Sequence, residues 1–304
     1  MKKVLVTGGS GFLGRHLVEA LLAEDYKVCG LDLQSGPVEH ENLDWVTGSF
    51  LDSETLEGAV ADCDAVFHLA STTLPKSSNE NPGYDVASNL QGAVKLLDLA
   101  VANKVAKVVF ISSGGTVYGV PQEVPVTEQH VTNPTCSYGI VKLAIEKYLY
   151  LYYQLHGLET CSLRLSNPYG EYQRADTGQG VIAAFCHKAL NDQPIEIWGD
   201  GSVVRDFIYV KDAVDAMLKA SEVACGGQAI NIGSGQGFSL NAVIDQIEAT
   251  SGVTVRRDYK AGRPFDVPAI YLDIAEAERV LDWRPRVTMS EGLQRLFSWA
   301  QQKQ

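Results

Sequence analysis

A succession of short, nearly continuous apolar runs constrains this chain more than any other feature. The runs fall at Lys3–Thr7, Lys27–Asp32, Leu43–Thr47, Ala65–Leu69, Lys107–Ser112 and Thr160–Arg164. A strand with one wet face alternates apolar and polar residues. A strand covered on both faces does not, and these runs read as the second kind. Helical patterns near Gly11–Glu24, Ser53–Val60, Tyr84–Asn103 and Thr135–His156 lie among them. This alternation predicts an α/β fold with a doubly wound parallel sheet. After Asn167 the rhythm changes, with Gly, Pro and Tyr clustered at Asn167–Gly170 and a capping box, Thr288-x-x-Glu291, opening a last helix. The expected division is a sheet domain over 1–168 and a smaller C-terminal α/β lobe over 169–304. Val203–Val210, a helix from Lys211 and a strand Gln228–Ile232, together within 203–235, are expected to return to the large domain.

Composition narrows the partners. The 304 residues are 45% hydrophobic and 20% charged, with a formal charge of −12. That acidity argues against nucleic acid, whose phosphates need a clustered basic surface. No apolar run approaches the roughly 20 residues of a membrane helix, and the N-terminal apolar run breaks at Gly8-Gly9, too short for a signal peptide. A cytoplasmic protein is expected. The six cysteines contain no CxxC pair and read as reduced thiols, with neither a disulfide framework nor a metal site.

The first run leads straight into Thr7-Gly8-Gly9-Ser10-Gly11-Phe12-Leu13-Gly14. Glycines at 8, 11 and 14 permit a tight turn, close approach of a pyrophosphate, and packing of helix on strand. The helix that follows aims its N-terminal amides at phosphates. Asp32 closes the second run, 18 residues past Gly14. A carboxylate there accepts from a ribose diol and repels a 2′-phosphate, so the expected cofactor is NAD in a Rossmann-type site. Phe12, Leu13 and Leu33 flank these contacts. Asp52 either faces the adenine or begins the helix at Ser53.

Tyr138 and Lys142, four residues apart, share one helix face. A free phenol, with a pKa of about 10, is a poor base at neutral pH. Lowering it by about 3 units takes roughly 4 kcal/mol, which a nearby ammonium and a cationic nicotinamide could supply together.

The glycine turn, Asp32 and Tyr138-x-x-x-Lys142 resemble the extended short-chain dehydrogenases. His68-Leu69-Ala70, Asn89, Ser112-Ser113-Gly114-Gly115-Thr116-Val117-Tyr118-Gly119 and Asn167-Pro168-Tyr169-Gly170 extend the likeness to the NAD-dependent sugar-nucleotide epimerases and dehydratases over essentially the whole chain. The resemblance implies that Tyr138 is the acid/base and that Lys142 orients the nicotinamide ribose. It implies that Leu69, Ala70, Ser71, Asn89 and Ser112 serve the cofactor site. In similar 4-epimerases a Ser or Thr stands where this chain has Gly114, so Thr116, Ser113 in a shifted register, or a water must bind the sugar hydroxyl; Thr116 is preferred. The Asp-Glu pair of the related dehydratases is absent, which counts against water elimination.

Arg174, Arg205 and Arg263 fall where the family holds a diphosphate, and guanidinium forks suit phosphate oxygens. Asn167 would donate to a phosphate or sugar oxygen, and Ile197 would touch the nucleotide base. Reversible inversion at a sugar carbon, C4 of a UDP-hexose, is the expected reaction. A reductase, dehydrogenase or decarboxylase on the same scaffold is the rival. Relatives that dimerise pair two long helices from each subunit. Here Tyr84–Asn103 and Thr135–His156 would do so, the latter presenting Tyr148, Leu149, Tyr152 and Tyr153.

Overall fold

Residues 2–175, 180–262 and 267–302 are described by a computed structural model. The apolar runs form β1 (Lys3–Thr7), β2 (Lys27–Asp32), β3 (Leu43–Thr47), β4 (Ala65–His68), β5 (Lys107–Ser113) and β6 (Glu159–Leu165). The helices between them are α1 (Phe12–Ala23), α2 (Ser53–Val60), α3 (Pro75–Glu80), α4 (Pro82–Asp85), α5 (Gln91–Ala102) and α6 (Ser137–His156). A π turn over Val86–Leu90 joins α4 to α5. The remainder comprises β7 (Asn167–Tyr169), α7 (Val181–Leu190), β8 (Ile195–Trp198), β9 (Val204–Arg205), β10 (Phe207–Tyr209), α8 (Val210–Glu222), β11 (Ala229–Ile232), β12 (Phe238–Ser239), α9 (Leu240–Ser251), β13 (Arg257–Lys260), β14 (Ala269–Ile270), α10 (Ala275–Leu281) and α11 (Met289–Gln301).

Seven strands make one parallel sheet in the order β3-β2-β1-β4-β5-β6-β11. Successive residues of β1 point to opposite faces, and both faces are covered. Val4 and Val6 pack with Leu17 and Leu21 of α1 and Met217 of α8. Leu5 packs on the other side with Leu56 of α2, Leu96 of α5 and Ile145 of α6. Full burial of each such side chain contributes about 1.5–3 kcal/mol, which is why the centres of these runs are mostly apolar. The result is the expected doubly wound Rossmann fold.

A third core belongs to the later residues. Ile182 and Phe185 of α7, Ile195 and Ile197 of β8, Val243 and Ile247 of α9, and Leu293 and Phe297 of α11 enclose it. The capping box forms: Thr288 accepts from the Glu291 amide while the Glu291 carboxylate accepts from the Thr288 amide.

Three features differ from the sequence reading. The helix α3 was not anticipated, and Tyr84–Asn103 is not one uninterrupted α-helix. Val203–Val210 does not join the large sheet as a strand. It splits into β9, paired with β12 and β14, and β10, paired with β7. The break falls at Asp206, a carboxylate only 1% exposed, which collects the Ser234 amide and hydroxyl (2.8 Å each) and the Leu272 amide (3.2 Å). A buried carboxylate must find donors, and these lie on separate segments. The chain does return afterwards, since α8 packs on the sheet and β11 pairs with β6. No described helix is long and apolar enough to cross a membrane.

Candidate active site

The winding of the sheet reverses between β1 and β4, and in folds of this kind ligands bind beyond the carboxyl ends of the strands at such a point. The glycine turn lies there. Gly8 has φ +73°, and a Cβ on it would come within 3.0 Å of the Ala70 amide nitrogen. A Cβ on Gly14 would fall 2.0 Å from the Gly8 carbonyl oxygen, so α1 sits closer to the turn than any side chain allows. Asp32 faces the turn: Oδ2 accepts from the Ser10 amide (3.1 Å) and Oδ1 from the Leu33 amide (2.7 Å). A carboxylate offers about four acceptor positions, so each oxygen retains capacity for a ribose hydroxyl. This cradle fits NAD.

Other expected cofactor residues divide. Phe12 and Leu13 open α1 and pack toward the third core, and the Leu33 side chain is 70% exposed. Leu69 packs on one sheet face, Ala70 on the other, and the Ala70 amide donates to Thr7 Oγ1. Thr7 Oγ1 also contacts Nδ1 of His68 at 2.8 Å. Burial, with Lys142 nearby, holds His68 down to about 3, so the ring is neutral. Ser71 is exposed and donates to the Thr73 carbonyl. Asn89 is buried in the π turn and accepts from the Thr72 amide (2.9 Å). Hydrogen bonding accounts for two more of them. Asp52 caps α2, accepting from the Thr55 amide, which pulls its carboxyl below the ordinary value. Ser112 points away into the protein and donates to Glu146, which is paired with Arg164 at 2.7 Å.

Tyr138 and Lys142 stand on the first turns of α6. The Lys142 ammonium is 5.4 Å from the Tyr138 ring centroid and 4.6 Å from that of Phe110, and it donates to the Ile111 carbonyl at 2.7 Å. Burial draws Lys142 down to about 8, against the opposing pull of Asp85 and Glu146. Tyr138 departs from expectation. Its phenol is pushed up, chiefly by burial and then by Cys136 and Asp85. Desolvation outweighs one ammonium at this distance, so the pair alone does not make a base; a further cation is required.

The first turn of α6 is held from outside. Ser78 accepts from the Tyr138 amide (3.0 Å) and Asn79 from the Ser137 amide (2.9 Å), both from α3. Sequence reasoning missed these residues; the Asn81-Pro82 break, a turn signal, could have marked the segment.

Where a hydroxyl was sought near the sugar, the backbone explains its absence. A Cβ at Gly114 would meet Leu272 Cδ1 at 2.6 Å and the Arg164 carbonyl oxygen at 3.0 Å. A Cβ at Gly115 would meet nothing within 4 Å. Thr116 Oγ1 is buried and has no hydrogen-bond partner among the described residues. Ser113 is half-buried, and its carbonyl accepts from the Thr116 and Val117 amides.

The expected substrate residues are dispersed. Asn167 donates its side-chain amide to the Asp206 carbonyl (2.8 Å). Arg205 donates to the carbonyls of Val204 and Val267 (2.8 and 2.7 Å). Arg174 is exposed, and Arg263 lies outside the described residues. Ile197 is corrected: it is fully buried in the third core, since β8 turns Ile195 and Ile197 inward and Glu196 and Trp198 outward.

The family model for the NAD dependent epimerase/dehydratase family matches residues 4–233. The chain is 38% identical over 300 residues to a putative UDP-glucose 4-epimerase of Methanocaldococcus jannaschii, covering 97% of each. It is 34% identical to a dTDP-4-dehydro-6-deoxyglucose reductase of Escherichia coli, covering 97% of this chain and 96% of that one. The crystal structure of UDP-glucose 4-epimerase from Thermotoga maritima with UDP-glucose superposes with a TM-score of 0.94 at 34% identity, covering 99% of both chains. The chain belongs to the NAD-dependent epimerase/dehydratase family of extended short-chain dehydrogenases. It is an enzyme, and NAD is its cofactor.

Proposed function

We propose that the protein is a nucleotide-sugar epimerase that inverts the C4 hydroxyl of a UDP-hexose through a transient 4-keto sugar. The observation that carries this reading is the Tyr138–Lys142 pair on one face of α6, over the end of β5, in a chain that also carries the glycine turn and Asp32. NAD, when bound, accepts a hydride from the sugar carbon and gives it back. Tyr138, ionised with the help of Lys142 and the cationic ring, takes the proton of the sugar hydroxyl as the C4–H bond breaks. Once the keto sugar has turned, Tyr138 would restore the proton to O4 as the bound cofactor gave the hydride back to the other face, so the net redox change would be zero.

We assign the contact to the sugar hydroxyl to Thr116, whose buried hydroxyl has no other partner among the described residues and would be satisfied by it. Arg174, Arg205 and Arg263 are assigned to the diphosphate. The region 169–304, less the part returning through α8 and β11, is the nucleotide-sugar lobe. The free thiols suit a reducing cytoplasm. We further propose a homodimer through α5 and α6, with a corrected face. Leu149 and Tyr152 are buried in the core, whereas Ile140, Tyr148, Leu151 and Leu155 form an exposed stripe at helical spacing.

The test is proton NMR of a UDP-sugar panel with purified protein and catalytic NAD. A C4 epimer without accumulated NADH supports the reading. Stoichiometric NADH or released carbon dioxide overturns it. The reductase relative favours a second reading, reduction of a 4-keto deoxysugar nucleotide; that reaction would consume NADH stoichiometrically and leave the UDP-hexoses untouched.

A further inference from the structure

Asp85 ends α4 at the mouth of the π turn and is fully buried. Its Oδ1 accepts from Thr73 Oγ1 (2.6 Å) and Asn89 Nδ2 (2.8 Å), and its Oδ2 from Ser137 Oγ (2.6 Å). All three donors are neutral, and Asp85 makes no ion pair among the described residues. A lone carboxylate in the interior costs several kcal/mol unless something nearby favours the charge. The π turn lets Asp85 and Asn89 face inward together, and such turns recur at functional sites. We propose that Asp85 is a positioning residue of the Tyr138–Lys142 pair, tying the loop after β4 to the first turn of α6 and placing a buried carboxylate at the turn that carries Tyr138.

The tether runs through named bonds. Thr73 and, through Asn89, Thr72 belong to the loop after β4, next to the stretch 69–71 assigned to the cofactor. Ser137 immediately precedes Tyr138 on α6. A shift of the loop is therefore felt at the phenol through Asp85, alongside the α3 contacts of Ser78 and Asn79. The charge role follows from the neighbours of Lys142. Glu146 lies one turn further along α6 but is gripped by Arg164 of β6 through bonds of 2.7–3.2 Å. His68 of β4 is neutral, and Tyr138 and Cys136 are uncharged as phenol and thiol. Of the two carboxylates whose fields support the Lys142 ammonium, Asp85 and Glu146, Asp85 is the one without an ion pair among the described residues, and its field also opposes ionisation of Tyr138.

The inference rests on the pair being the catalytic one, so one readout is independent of turnover. The Lys142 ammonium is followed by ¹⁵N NMR titration of lysine-labelled protein, its signal assigned by its loss in Lys142→Met. Asp85→Asn removes the charge at nearly constant shape. It is expected to lower the Lys142 titration by about half a unit or more and to move both limbs of the pH–rate profile toward acid. Ser137→Ala keeps the charge and cuts the tether, and is expected to lower kcat about 10-fold or more without moving either limb. An Asp85→Asn titration identical to the parent's overturns the charge role. An unchanged kcat in Ser137→Ala overturns the tether. Asp85→Ser, small enough to admit a water, repeats the titration if the Asn variant does not fold. Should no sugar nucleotide turn over, the activity reading fails while the titration still decides the charge.

Discussion

Tyr138 meets two opposing demands. In the proposed reaction it must lose a proton at neutral pH, yet it is packed where burial favours the phenol. Replacing it by Phe removes the proton acceptor and leaves the glycine turn and Asp32 intact. Turnover should fall about 10²–10⁴-fold while NAD affinity, measured by fluorescence titration, stays within about twofold. Lys142 gives a pH signature with two signs. Its folded value, about 8, lies below its ordinary 10.5, mainly through burial. Between those values the unfolded chain binds more protons, so this group's contribution to stability rises with pH across the window. Turnover that depends on the ammonium should instead decline as pH rises through about 8. A pH–rate profile and a Tm series would read the two trends separately. If turnover holds unchanged to pH 10, Lys142 does not act as an ammonium.

At the scale of elements, the join between β6 and α6 holds a buried ion pair. Arg164 and Glu146 are 4–5% exposed in their side chains, and Arg164 also donates to Tyr118 Oη (2.9 Å). Replacing Arg164 by Ala strands the Glu146 carboxylate. The expected loss is about 3–5 kcal/mol, read by urea denaturation; a loss below 1 kcal/mol would mean water replaces the arginine. The sequence made the strands legible because the central runs are buried on both faces, which writes apolar character along most of their length; edge strand β3, only half-buried, carries the mixed run Leu43–Thr47. It also displayed the glycine turn and Thr288-x-x-Glu291, because backbone needs are local. Ser78, Asn79 and Asp85 were not legible. Their partners, Tyr138 and Ser137, are some 50–60 residues away, and nothing in a polar helical stretch announces what it will face. Ile197 misled for a related reason: period-two burial of β8 decided its direction, and a resemblance to a base-flanking strand did not.

For the whole molecule, the exposed stripe on α6 gives an assembly test. Leu151→Glu with Leu155→Glu should yield monomer by sedimentation velocity while leaving NAD binding intact; an unchanged mass would place the subunit contact elsewhere. The return of the chain has a consequence for synthesis. Trp283 is 1% exposed in the same core as Val4 and Leu163, and its indole donates to the Asp212 carbonyl (3.1 Å). The edge of β6 is covered only when β11 arrives. A nascent chain therefore carries its cofactor cradle out of the ribosome early but cannot seal the layer behind it until Trp283 of the 304 residues has been made. Products terminated between residues 168 and 228 would leave β6 as an open parallel edge, the kind of surface on which unfinished chains aggregate. Such products are expected in the insoluble fraction or on chaperones, so completion of the distal lobe acts as the quality check on the proximal one.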